Sequence, residues 1–100
     1  MDRSEVITIL KSYESELREL GVRRLSVFGS TARATATETS DVDVAVQLAP
    51  GPRGFARLRS LETVELRLSE LLNRPVDVVE EPARSPRVQR AIDRDRIRAF

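Results

Sequence analysis

The chain has 100 residues, of which 40% are hydrophobic and 33% are charged, and its formal net charge is +1. This length is enough for one core, so we expect residues 1–100 to form a single domain. The apolar runs are too short to cross a bilayer, and the first residues lack the basic and apolar order of a secretory signal. We therefore expect a cytoplasmic protein with no membrane partner, and the balanced charge predicts no direct nucleic-acid binding.

The chain contains neither cysteine nor histidine. A disulfide framework and a thiolate metal site are therefore excluded, and any metal ion must bind to oxygen ligands. This restricts the choice of metal mainly to Mg²⁺, Mn²⁺ or Ca²⁺.

The first predicted element is an amphipathic helix over residues 4–20, where apolar residues recur at spacings of three and four. Ser4 is the expected N-cap of this helix, and Gly21 follows its end in the position that glycine often takes. The β-rich run 22–28 then predicts a short strand.

Gly29-Ser30 closes this strand, and we expect a tight turn followed by a short helix from about Ser30. The small polar residues 34–40 have no periodic apolar face and predict a surface loop.

Residues 41–48 alternate and predict a second strand. One face of this strand carries aliphatic side chains and the other carries two carboxylates. The aliphatic face consists of Val42, Val44, Val46 and Leu48, and the other face of Asp41, Asp43, Ala45 and Gln47.

The second half of the chain continues the alternation of helices and strands. A Pro- and Gly-rich cluster over 49–54 precedes a helical stripe over 55–72, and residues 76–79 predict a third strand. Residues 80–86 predict a loop. A closing helix is expected from its apolar positions, which are Val88, Ala91, Ile92 and Ile97. The order predicts an α/β (α+β) fold, with a sheet covered by helices.

Three acidic residues occupy strand positions. Asp41 and Asp43 are two apart, so their Cα atoms should lie about 6.5–7 Å apart with both carboxylates on one face. Asp77 interrupts the apolar strand 76–79. Like charges held close together are costly unless a cation neutralises them, which favours a divalent metal site. Alternatively, Asp41 ends a loop, Asp43 faces solvent and Asp77 lies at a strand end.

Gly29-Ser30 is the second candidate. Glycine permits a positive φ and close backbone approach, and the N–H groups that begin the next helix favour an anion. A turn with no ligand uses the same residues.

In combination, these segments closely resemble the nucleotidyltransferase superfamily that includes DNA polymerase beta. The matching segments are Val27-Phe28-Gly29-Ser30-Thr31-Ala32-Arg33, Ser40-Asp41-Val42-Asp43-Val44 and Val76-Asp77-Val78-Val79. The chain is most similar to the minimal members, the MntA-type antitoxins of HEPN/MNT toxin–antitoxin pairs. The resemblance implies a nucleotidyltransferase fold with a small mixed sheet of three to four strands.

The resemblance also implies residue roles. Gly29 and Ser30 would bind the triphosphate, with Arg33 and Ser40 as further nucleotide-binding residues. Asp41, Asp43 and Asp77 would be the catalytic residues and would bind two Mg²⁺ ions, with Mn²⁺ as a possible substitute and ATP as the expected co-substrate. Arg33 has an alternative role as a surface salt-bridge partner, and Ala34 occupies a position where the family usually carries glycine.

Three functions are compatible with these residues. The first is an antitoxin enzyme that transfers AMP to a HEPN-type ribonuclease, with which it would form a hetero-oligomer. The second is a transferase acting on a small molecule such as an aminoglycoside, and the third is an antitoxin that neutralises its partner by contact alone. The short chain favours the first, because a small-molecule acceptor usually needs additional surface for its recognition.

Overall fold

A computed structural model describes residues 2–37, 40–51 and 53–100. Its elements in chain order are α1 (Arg3–Ser12), α2 (Glu14–Glu19), β1 (Val22–Phe28), α3 (Gly29–Ala32), β2 (Val42–Leu48), α4 (Phe55–Leu72), β3 (Val76–Glu80), α5 (Pro86–Asp95) and β4 (Ile97–Arg98). The expectation of a small mixed sheet covered by helices is confirmed. Glu38 and Thr39 of the predicted loop, and Pro52 of the predicted breaker cluster, lie outside the described residues.

The four strands form one sheet in the order β3-β2-β1-β4. The β1 strand is antiparallel to both β2 and β4, whereas β2 and β3 are parallel. A parallel pair needs a crossover connection, and α4 provides it.

The alternation in β2 separates the two sides of the sheet. Val42, Val44 and Val46 are fully buried in the main core, which also contains side chains from α1, α2 and α4. On the other side, Ala45 packs with Phe28 and with Ile92 of α5 in a second, smaller cluster. Asp43 of β2 alternates with these valines, so its carboxylate lies on the α5 side.

The predicted first helix is two helices, because the chain bends at Tyr13. The Ser12 hydroxyl donates to the Ile9 carbonyl, and the Tyr13 N–H donates to Leu10, three residues back, which tightens the turn. The prediction of Ser4 as N-cap was wrong, since the Asp2 side chain accepts from the Glu5 N–H at 2.9 Å and α1 begins before Ser4.

The end of the chain also differs from the prediction. Glu80 belongs to β3 rather than to a loop, and Ile97 lies in β4 rather than in the closing helix. The helix ends because the backbone of Arg96 turns to an extended ψ of 125°. Ile97 then pairs with Val27, which satisfies backbone groups at the edge of β1.

The prediction for α4 had the correct range but not the correct buried face. Val64, Leu68 and Leu72 are fully buried, whereas Phe55 and Leu58 at the start of the predicted stripe are exposed. In the first turn of α4, the predicted apolar stripe therefore faces solvent rather than the sheet. Among the described residues, no helix is long and apolar enough to span a membrane.

Candidate active site

The three strand carboxylates lie at one end of the sheet. The parallel register places Asp43 of β2 directly beside Asp77 of β3, so these residues share a face at a strand spacing of about 4.8 Å. Asp41 precedes β2 by one residue and is exposed, as is Asp77, while Asp43 is half-buried. The structure therefore brings together the three acidic residues that the sequence singled out.

The electrostatics of Asp43 reflect this crowding. Partial burial raises the pKa of Asp43, the negative charges of Asp77 and Asp41 raise this pKa further, and Arg33 opposes the shift. A half-buried carboxyl with two acidic neighbours is a candidate functional group, because such charge stabilises a bound cation more than it stabilises the fold.

Gly29 begins α3 and packs against the Asp43 carboxylate. Its φ is +70°, and a Cβ at this position would lie 2.3 Å from Asp43 Oδ2. Only glycine fits both the conformation and the space. The register explains the proximity, because Phe28 at the end of β1 pairs with Asp43.

Ser30 follows at a half-buried position beside the carboxylates. Its carbonyl accepts hydrogen bonds from the N–H of Thr35 at 2.9 Å and from the Thr35 hydroxyl at 3.3 Å. Within the described part of the chain, its hydroxyl makes no hydrogen bond. The backbone of Ser30 is thus fixed, while its hydroxyl can rotate toward a ligand.

Arg33 forms the surface ion pair that was the alternative to phosphate binding. Its Nη1 lies 2.6 Å from Asp95 Oδ2, and 46% of the Arg33 side chain remains exposed. The Asp95 carboxylate is only 5% exposed, and hydrogen bonds from Arg94 and Arg33 lower the pKa of Asp95 to about 2. Asp95 therefore keeps its charge at neutral pH and orients Arg33 beside α3.

Ser40 is engaged in the loop that leads to the first carboxylate. Its hydroxyl accepts from the Thr37 N–H at 3.0 Å, and its carbonyl accepts from Arg74 Nη2 at 2.7 Å. Arg74 Nη2 also donates to the Thr37 carbonyl at 2.6 Å. Arg74 thus fixes the segment immediately before Asp41.

Sequence reasoning did not identify Arg74 and Asp95. Arg74 lies 34 residues from Ser40, and Asp95 lies 62 residues from Arg33. Asp95 lies in the arginine- and acid-rich run 93–96, and Arg74 lies between Asn73 and Pro75, where no residue pattern marks it as part of a site. No local spacing distinguishes them, since their partners are set by the packing of the sheet against α3 and α5.

The donor set fits a divalent cation in its chemistry. All three candidate ligands are carboxylates, which suit Mg²⁺ and Mn²⁺, and the negative charges of Asp77 and Asp41 add to the effect of burial in raising the pKa of Asp43. Among the described residues, no three acidic side chains already surround one point at metal-ligand distance. The mutual repulsion of the carboxylates opposes their closer approach in the absence of a cation.

The chain is similar to known nucleotidyltransferases in both sequence and structure. A family model described as "Nucleotidyltransferase domain" matches residues 6–99. The protein adenylyltransferase MntA of Thermococcus cleftensis is 42% identical over 76 residues, which are 75% of this chain and 73% of that protein. A solved structure described as a minimal nucleotidyltransferase superposes on this chain with a TM-score of 0.78. The two sequences are 32% identical, and the superposition covers 97% of this chain and 95% of the other chain.

A more distant structure shares the fold. It contains a tri-AMPylated HEPN toxin of Shewanella oneidensis in complex with its MNT antitoxin. The superposition has a TM-score of 0.64 at 16% identity, over 94% of this chain and 71% of the matched chain.

Ala34 generates a prediction about stability. Its φ is +61°, a left-handed conformation that costs a residue with a Cβ about 1–2 kcal/mol. We expect Ala34→Gly to raise the free energy of unfolding by about 0.5–1 kcal/mol, because relief of strain exceeds the entropy that glycine adds to the unfolded chain. Urea unfolding would measure the change, and a variant less stable than the wild type would contradict this account of the loop.

Asp43 generates a second prediction. Since its pKa is raised on folding, the ionised side chain destabilises the metal-free protein, and this cost appears as the pH rises through that pKa. At pH 7 with a chelator, Asp43→Asn should therefore raise the Tm, by no more than about 2–4 °C because solvent screens the charge of a half-buried group. Asp41→Asn, at the exposed end of the cluster, should give a smaller gain.

Thermal unfolding followed by circular dichroism would test this prediction. Added Mg²⁺ should raise the Tm of the wild type more than that of Asp43→Asn. If Asp43→Asn lowered the Tm in chelator, the carboxylate would have a structural role instead.

Proposed function

Because the chain belongs to the nucleotidyltransferase domain family, we propose that it transfers AMP from ATP to a hydroxyl group of a partner protein. The observation that carries this proposal is the packing of Gly29 against Asp43, whose carboxylate stands beside that of Asp77. In this proposal, the triphosphate would bind next to the carboxylates that act on it.

The turn at Gly29 and Ser30 is the proposed triphosphate site. Gly29 has no side chain that would block the approach of a phosphate to the turn, and the Ser30 hydroxyl is available to donate to a phosphate oxygen. Arg33 is a further phosphate ligand in this proposal, since its guanidinium is about half exposed and is oriented by Asp95. Ser40 would contribute mainly by fixing the loop before Asp41.

Asp41, Asp43 and Asp77 are the proposed ligands of two Mg²⁺ ions, with Mn²⁺ as a substitute. The chemistry that such ions supply is neutralisation of charge on the attacking and leaving oxygens of an in-line displacement. Of the three residues, Asp77 is exposed and adjoins Asp43, so it is positioned to accept the proton of an incoming hydroxyl. The hydroxyl oxygen then bonds to the α-phosphorus while pyrophosphate leaves.

A protein is the proposed source of this hydroxyl. Asp41 and Asp77 are exposed, so a hydroxyl group carried by another molecule can reach them. An in-line transfer needs the hydroxyl about 3–3.5 Å from the phosphorus. A mobile Tyr, Ser or Thr of a partner meets this need without an acceptor pocket on this chain.

A HEPN-type ribonuclease is the partner that we propose. The AMPylated HEPN toxin bound to an antitoxin of the same fold supports this choice. AMP groups near a ribonuclease active site would add bulk and negative charge where RNA phosphates bind, and would thereby inhibit the toxin. The alternatives are a small-molecule acceptor and an antitoxin that inhibits by contact alone.

Transfer itself gives the third prediction. When a HEPN-type partner is incubated with this protein, ATP and Mg²⁺, intact-mass spectrometry should show the partner gaining whole AMP units. The double variant Asp41→Asn/Asp43→Asn should give no gain, because it removes two of the three carboxylates. Full neutralisation by the double variant, with no modified species from the wild type, would favour contact inhibition.

The Gly29 turn gives the fourth prediction. Ser30→Ala should lower the rate of transfer by about 10²-fold through loss of one preorganised donor. Gly29→Ala should lower it further, because the new Cβ would displace the Asp43 carboxylate.

Gly54→Ala is a matched control for Gly29→Ala. Gly54 has a similar φ of +60°, yet a Cβ there would meet no atom within 4 Å. Both variants place a side chain on a residue with positive φ, and only Gly29→Ala introduces a contact with Asp43. Equal loss of activity in the two variants would show that strain, and not the contact with Asp43, is responsible.

A further inference from the structure

The outer face of α4 carries an unusual set of exposed side chains. Among the described residues, the large apolar side chains that are most exposed are Phe55 at 83%, Leu66 at 67% and Leu58 at 55%, and all three belong to α4. Single exposed apolar residues are normal on a protein surface. Three on one helix that buries its other face call for a specific explanation.

Their spacing places them on one stripe. At 100° per residue, Phe55, Arg59, Glu62 and Leu66 recur at intervals of four, three and four and lie within about 60° of one another around the helix. Leu58 flanks this stripe. The buried residues Val64 and Leu68 lie on the opposite side of the helix, against the sheet. We refer to Phe55, Leu58, Arg59, Glu62 and Leu66 as the outer stripe.

The charged residues of the outer stripe form no ion pair with any other residue that the structure describes. Arg59 and Glu62 are both exposed, and within the described residues neither side chain forms an ion pair. They stand at the centre of the stripe, with Phe55 before them and Leu66 after them. The stripe therefore has no net charge, which disfavours a strongly acidic or basic partner.

The order of the side chains along the outer stripe makes the stripe complementary to an antiparallel copy of itself. If a second α4 lies antiparallel across it, Phe55 faces Leu66 of the second copy and Arg59 faces Glu62. The two-fold axis repeats each contact, giving two apolar contacts and two ion pairs of opposite charge. We propose that the outer stripe binds the outer stripe of a second copy of this chain in an isologous dimer.

The position of the stripe leaves the candidate active site open. The carboxylates lie on the α5 side of the sheet, whereas α4 covers the other side and its outer stripe faces away from the sheet. A dimer formed through α4 would thus direct its two sites outward, to opposite sides. This inference does not depend on the proposed function, and its failure would leave that function intact.

The dimer should be weak. A contact built mainly on one helix face falls below the roughly 1,600 Å² of a standard interface. We expect a dissociation constant of roughly 1–100 μM. Sedimentation equilibrium of the purified chain should give a mass that rises with concentration from 11.3 kDa toward twice that value.

Charge reversal tests the pairing. Arg59→Glu and Glu62→Arg should each raise the dissociation constant about tenfold, because each variant loses two ion pairs and places like charges opposite one another. The double variant Arg59→Glu/Glu62→Arg restores opposite charges and should recover dimerisation. These positions are exposed, and far-UV circular dichroism would verify that each variant is folded.

Cysteine cross-linking tests the antiparallel register, and the natural chain has no cysteine to interfere. A mixture of Phe55→Cys and Leu66→Cys chains, one of them tagged, should form mixed disulfide dimers faster than either variant alone forms a homodimer. A monomeric mass at about 1 mM, charge reversals without effect, or homodimers as the main cross-linked product would each overturn the proposal.

Discussion

The repulsion between neighbouring carboxylates is the constraint on which the candidate site depends. Parallel pairing of β2 with β3 places Asp43 beside Asp77, and partial burial with these negative neighbours raises the pKa of Asp43. A fold that maintains this arrangement accepts a local loss of stability. When a cation binds at the site, alone or together with a phosphate, the negative charge of the carboxylates stabilises the bound state.

Residues around the carboxylates keep them in place despite the repulsion. Gly29 approaches so closely that no larger residue fits, while Arg74 fixes the loop before Asp41 through two backbone carbonyls. Asp95, whose side chain is 5% exposed, orients Arg33, and the charge of Arg33 partly offsets the negative cluster. The strands supply the position of the acids, and these contacts supply their rigidity.

The two sides of the sheet have different tasks. The side covered by α1, α2 and α4 contains the main core, and the α5 side contains a smaller cluster together with the carboxylates. A short chain can thus combine a stable core with an open, polar site. The α4 helix contributes to both sides, because it packs on the main core and also connects β2 to β3, the strands that carry Asp43 and Asp77. Its outer stripe faces solvent.

The sequence by itself determined three of the four strands, the range of α4, and the acidic residues that share a face, because alternation and helical periodicity are local properties. It did not determine the bend at Tyr13, the strand at Ile97, or the exposure of Phe55, since each depends on what packs nearby. Only the tertiary structure decided that Asp43 neighbours Asp77, that Arg74 fixes the Ser40 segment, and that Asp95 pairs with Arg33. These contacts join residues 34–62 positions apart, and a linear pattern carries no information about which distant segments meet.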